Sequence, residues 1–193
     1  MLPVKKPGFF VNRLLATLPD KDQKQILANC EPVELRLAEV ISEPGELVRH
    51  VYFPTDCFVS LVTPPDHHLG LEVGLVGHEG MIGTPLILGV EVTALRAFVQ
   101  GAGPAWCMTP ERFQDALRQS RALQATLDRY LYVLMSQLAH MVACTRFHLV
   151  EARLARWLLM TQDRAHSDCF HVTHEFLAFM LGGRRVRVTK AAS

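Results

Sequence analysis

Four cations, Arg184, Arg185, Arg187 and Lys190, crowd together directly after a Gly182-Gly183 pair. Cations at the start of a helix can reach base edges in the major groove of DNA, where Arg pairs bidentately with guanine, while neighbouring cations hold phosphates. The residues before them support that use. Thr173 can cap a helix whose Phe176, Leu177, Met180 and Leu181 form one apolar stripe, and the glycine pair supplies the positive-φ break that a tight inter-helix turn needs. The pattern is that of a helix-turn-helix with Thr173, Arg184, Arg185, Arg187 and Lys190 as candidate DNA-binding residues; the competing reading is a solvated basic tail.

Other reactive residues form weaker patterns. His166, Cys169, His171 and His174 stand close together, but their spacing matches no common zinc site, so no metal or other cofactor is expected. Cys30, Cys57, Cys107, Cys144 and Cys169 are scattered singly and read as reduced, mostly buried thiols. There is no nucleophile elbow, Walker loop or zinc-protease pair, and an enzyme is not expected. A catalyst built on a barrel is the distant alternative; it would need a polar cavity with a perturbed acid or base.

Charge separates along the chain. Up to Thr145 there are 12 Lys/Arg against 15 Asp/Glu, and after it 8 against 4, so an acidic front precedes a basic tail that would meet a polyanion. Charged and polar residues interrupt every apolar stretch before it reaches a membrane-spanning length, so a cytoplasmic protein with no membrane partner is expected.

The elements that must position the basic segment follow from periodicity. Asn12 to Asn29 reads as a short helix with a restart at Pro19-Asp20. From Val33 to Met108 the apolar residues come in short β-type runs: Val33–Leu37, Val51–Phe53, Phe58–Val62, Leu71–Val76, Ala94–Val99 and Ala105–Met108. Turn signals separate them, among them Glu43-Pro44-Gly45-Glu46 and Gly101-Ala102-Gly103-Pro104, which argues for an antiparallel barrel or roll. Gly74, Gly77, Gly80 and Gly83 recur every third residue and read as glycines relieving tight turns.

Thr109-Pro110-Glu111 then starts a helical region with no strong breaker before Ser167. Within it Leu127, Leu131, Leu134, Leu138 and Met141 follow the 4-3-4-3 spacing of a coiled-coil seam, which a second copy of the chain would complete. A single amphipathic helix lying on the roll fits the same short pattern. Val150, Leu154, Trp157 and Leu158 mark a further helix over Leu149 to Gln162.

The segments Phe147 to Met160, Thr173-His174-Glu175-Phe176-Leu177-Ala178 and Leu181-Gly182 resemble the DNA-binding half of the Crp/Fnr superfamily. Pro44-Gly45-Glu46, Val51-Tyr52-Phe53-Pro54 and Val73 to Gly83 resemble its effector domain, so the likeness spans about residues 12 to 192. It implies an α+β protein: a cyclic-nucleotide-binding-like antiparallel β-roll (a jelly roll) over 10–117, a long dimerisation helix over 118–146, and a winged helix-turn-helix over 147–193. It also implies a dimeric, sequence-specific transcription regulator. Arg185 matches the family's guanine-reading arginine and Lys190 a second basic contact; Val186 stands where many members carry a base-contacting Glu.

Two departures from the family pattern qualify these expectations. The nucleotide cassette of the family places a Glu after the Gly and an Arg before Ser/Thr-Ala; here Thr84 follows Gly83 and Val92 precedes Thr93-Ala94. Gly83, Thr84, Thr93 and Arg96 are the candidate effector-pocket residues, with Arg96 as the only substitute cation. Without the cassette Arg a cyclic phosphate would be left uncompensated, so cyclic AMP is not the expected effector, and a small-molecule effector, if one acts, is of unidentified class. The chain also ends early in the expected recognition helix, before the β-hairpin wing, which implies an incomplete head with weakened DNA affinity. The alternative is then a sensor or dimerisation module with little or no DNA binding.

Overall fold

The computed structural model describes residues 11–63, 70–165, 172–182 and 185–191. Two short helices, α1 (Arg13–Ala16) and α2 (Asp20–Ala28), precede seven strands: β1 (Glu31–Leu35), β2 (Val40–Ser42), β3 (Val51–Pro54), β4 (Phe58–Val62), β5 (Glu72–Val76), β6 (Arg96–Gly101) and β7 (Gly103–Met108). A 3-10 turn, Thr84–Leu88, lies between β5 and β6. The helices α3 (Pro110–Gln119), α4 (Arg121–Phe147), α5 (Val150–Ala165), α6 (His174–Met180) and α7 (Arg185–Ala191) follow.

The strands form two antiparallel sheets, ordered β1-β7-β3 and β2-β6-β4-β5, as expected of a roll. Leu35 and Ala105 of one sheet pack with Val59, Val76, Ala97 and Val99 of the other to make the roll's interior. The chain passes between sheets at Gly101 and Gly103. A side chain on Gly101 would run into the Phe58 ring, and one on Gly103 into the carbonyl of Asp56, so this crossing requires glycine at both positions. The strand β2 is an addition to the sequence expectation; at three residues it is too short to show an alternating pattern.

The helical region is broken twice. Ser120 has an extended backbone, its Oγ accepts from the Leu123 N–H at 3.0 Å, and it therefore starts α4 anew. That break lacks Gly or Pro, which is why apolar periodicity runs through it unnoticed. Thr109, by contrast, caps α3 as its sequence suggested. The 27 residues of α4 span about 40 Å at the rise of an α-helix, enough to run from the roll to the C-terminal helices.

Three clusters hold the chain together. Leu14, Leu15, Ile26, Phe53, Met81 and Phe113 pack α1 to α3 against the roll, and Leu123, Leu127 and Tyr130 from the first half of α4 complete this cluster. The third cluster joins Leu154, Trp157, Leu177, Met180, Leu181 and Val188 of α5 to α7 with Val62 and Phe98 of the roll. The outer face of β4, β5 and β6 is thus covered by the helical head. This explains why β4 is buried on both faces, with Val59 directed to the roll's interior and Val62 to the head.

A carboxylate lies in that covered face. Glu72 is 2% exposed and accepts from Ser60 Oγ at 2.8 Å, and Trp157 also donates toward it. Arg156 and Arg164 add positive charge, and Arg164 makes a 2.5 Å ion pair with Glu79. Burial is the strongest influence and pushes the Glu72 carboxyl from its ordinary 4.5 up to about 7, against the opposing effect of these donors and cations. The folded protein therefore keeps a proton that the unfolded chain releases above about pH 4.5. The stability contributed by this group is complete below that pH and is lost as the pH rises through about 7. Thermal melts at pH 5 and pH 8 should show wild type losing more stability with rising pH than Glu72→Gln. Parallel pH profiles for the two proteins would show that Glu72 is charged in the folded state.

Candidate nucleic-acid interface and effector pocket

Thr173 caps α6 as expected, its Oγ1 accepting from the Phe176 N–H at 3.1 Å, and Leu177 and Met180 are buried below it. Gly182 follows with φ of +57°, the left-handed turn that glycine tolerates best, and its N–H donates to the Phe179 carbonyl. The next helix, α7, places Val188 at the bottom of the head's cluster, fully buried. Helical geometry then turns Val186, Arg187 and Lys190 to the opposite side, and all three are exposed.

The head therefore presents two of the sequence-selected cations, Arg187 and Lys190, on one surface with the capping Thr173 at the start of the preceding helix. Arg185 opens α7 in the backbone, but its side chain is not among those described, and Arg184 lies outside the described residues. A second feature shapes this unit: Arg153 of α5 donates to the Leu181 carbonyl, tying α5 to the turn of the helix-turn-helix. Sequence periodicity alone offered no sign of that contact.

The roll contains a cavity of about 270 Å³ beside the 3-10 turn, with Tyr52, Leu61, Met81 and Ile82 in its walls. Gly83, Thr84 and Thr93 line it as expected, and Arg96 does not. Arg96 instead makes a 3.3 Å ion pair with Glu43, and the Thr93 hydroxyl donates to the Leu95 carbonyl. The single Arg of the lining is Arg49, which with His50 stands exposed at the rim; sequence reading missed both because they lie outside the cassette. No buried cation faces the cavity among the described residues, so its lining does not fit the phosphate of a cyclic nucleotide.

The coiled-coil residues divide between two tasks. Leu127 is fully buried in the roll's cluster, Leu131 and Leu134 pack partly against it, and Met141 is buried near the head. Only Leu138 of the five is exposed, at 41%. The large apolar side chains that α4 leaves in solvent are Tyr132, Val133, Met135, Leu138, Val142 and Phe147, and Tyr132, Met135, Leu138 and Val142 make a stripe rotated from the expected one. The first half of α4 thus lies on the roll, as the single-helix alternative required, because Leu127 and Tyr130 are spent on the core.

Of the candidate metal group only His174 is described; His166, Cys169 and His171 lie outside the described residues. Burial pushes the thiols of Cys30 and Cys57 up to about 12 and that of Cys107 up to about 11, which suppresses thiolate chemistry. Among the described residues no helix is long and apolar enough to cross a membrane.

No protein-family model matches the chain, and no curated protein matches its sequence. Solved structures do match its architecture. The c-di-GMP-responsive global regulator CLP of Xanthomonas campestris is 16% identical, with 90% of this chain and 89% of that one covered and a TM-score of 0.73. FixK2 of Bradyrhizobium japonicum is 13% identical over 84% of this chain and 82% of its own, with a TM-score of 0.71. A Crp/Fnr-family transcriptional regulator of Thermus thermophilus is 20% identical over 83% of each chain, with a TM-score of 0.68. The Thermus neighbour is a transcriptional regulator of the Crp/Fnr family, and the likeness gives this chain a Crp/Fnr-type fold.

Proposed function

We propose that this protein is a dimeric, sequence-specific DNA-binding transcription regulator of the Crp/Fnr type. Its units, as read from the sequence, are an effector roll over 10–117, a dimer helix over 118–146 and a DNA-reading head over 147–193. The observation that carries the reading is the exposed Val186, Arg187 and Lys190 surface of α7, held outward by buried Val188 behind a Gly182 turn. An exposed helix face with two cations and an apolar residue suits a major groove, where cations meet phosphates and base edges and an aliphatic side chain meets a thymine methyl.

In this reading Arg185 reads a guanine, Arg184, Arg187 and Lys190 contribute base or phosphate contacts, and Thr173 holds the first helix in register. The effector roll does not use cyclic AMP, because among the described residues no buried cation would meet its phosphate. No catalytic role is assigned. The partner across α4 is a second copy, and the contact is the stripe of Tyr132, Met135, Leu138 and Val142, whose 3-3-4 spacing keeps the residues near one face. Leu131 and Leu134 support the stripe from its flank. Two copies would also place two heads side by side for two half-sites.

Two experiments test the proposal. In titrations of labelled promoter and random duplexes at two salt concentrations, binding should fall with salt and favour the promoter. Lys190→Ala should weaken all sequences alike and reduce the salt slope by about one phosphate contact, whereas Arg185→Ala should relax specificity at one base pair, at a cost of about 1–3 kcal/mol. Dimerisation without DNA binding would instead make the protein a dimerising sensor. In sedimentation, Met135→Glu with Val142→Glu should convert dimer to folded monomer; a dimer that survives both substitutions would place the interface elsewhere.

A further inference from the structure

Between the roll and the head lies a second cavity, of about 300 Å³, separate from the one beside the 3-10 turn. Phe58, Phe98 and Val99 of the roll form one wall, and Val172 and Phe176 of the head form the other. Phe98 and Phe176 meet edge to face at 6.4 Å, which closes one side with aromatic rings. Gln100, Thr161 and Thr173 are the polar residues of a mainly apolar lining, and the Thr173 hydroxyl is already engaged in capping α6.

Gln100 and Thr161 are unusual in what they leave undone. Thr161 is 1% exposed, and its Oγ1 has no hydrogen-bond partner. The Nε2 of Gln100 is also buried and without a partner, although its Oε1 accepts from Ser60. A buried donor left unpaired is destabilising, and here two such donors, from β6 and α5, belong to residues that border one cavity. Among the described residues no Asp, Glu, Lys, Arg or His lines it, so a charged occupant would lose its hydration without compensation.

We infer that this cavity is a binding site for a small, uncharged, mainly aromatic or alicyclic molecule carrying a hydrogen-bond acceptor such as a carbonyl. The rings stack or pack against Phe58, Phe98 and Phe176, and the acceptor takes the Gln100 amide and Thr161 hydroxyl donors. Because the walls come from both the roll and the head, the occupied site stabilises the present arrangement of the two by mass action. The site is an effector position in addition to the roll cavity, and its existence does not depend on DNA binding.

The test uses the full chain and the neutral naphthalene ketone 6-propionyl-2-(dimethylamino)naphthalene, whose emission shifts to the blue in apolar surroundings. Wild type should bind it saturably at one site per chain and melt at a higher temperature with it. Thr161→Val keeps the shape and removes the hydroxyl, and should weaken binding roughly two- to tenfold. Val172→Trp should fill the cavity from its edge and abolish binding, while Ser42→Trp, which fills the roll cavity, should leave it intact. Absence of saturable binding, or loss of binding only in Ser42→Trp, would overturn the proposal. Unchanged circular dichroism of Val172→Trp separates blocking from misfolding, and should Thr161→Val fail to fold, Gln100→Leu tests the same donor pair.

Discussion

Tyr130 enters the space left by the missing side chain of Gly80, and the rest of the architecture depends on that seat. A Cβ on Gly80 would lie within 2.2 Å of the Tyr130 hydroxyl, which instead accepts from the Met81 N–H at 3.2 Å. With Leu123 and Leu127 fully enclosed beside it, the first half of α4 belongs to the roll's core. A stiff helix anchored at one end fixes where its other end goes. The second half of α4 is therefore free to expose an apolar stripe and to carry the head back onto the roll.

Gly77 plays the corresponding part for α5. A side chain there would collide with the aliphatic stem of Arg164, whose guanidinium pairs with Glu79. The glycines that looked in sequence like turn punctuation thus also make room for side chains arriving from helices far along the chain. Burying the outer face of β4 to β6 under the head then forces polar groups inside. Ser60 has one hydroxyl proton and two acceptors near it, Glu72 and Gln100. The single proton serves only one of them at a time, so the donor that opposes the burial of Glu72 is shared with Gln100.

The two cavities differ in a way that matters for what can enter them. The roll cavity has Arg49 and His50 at its exposed mouth and, among the described residues, no buried cation within. The inter-unit cavity is walled by phenylalanines and bordered by unpaired neutral donors. A phosphate in the roll cavity would meet a cation only at the rim, and among the described residues one in the inter-unit cavity would meet none.

Local sequence determined the elements and the head's motif. Turn residues and short apolar runs between Val33 and Met108 were enough to mark six of the strands, and Thr173, the apolar stripe and Gly182 marked the helix-turn-helix, because caps, glycine turns and periodicity act within a few residues. Tertiary structure decided which face of α4 remains available, since Leu127 and Leu138 look alike in a heptad but only Leu127 meets the roll. It also decided the burial of Glu72, the exclusion of Arg96 from the roll cavity and the pairing of Gln100 with Thr161 at one site. Each of these depends on contacts between residues tens of positions apart, which no local pattern encodes.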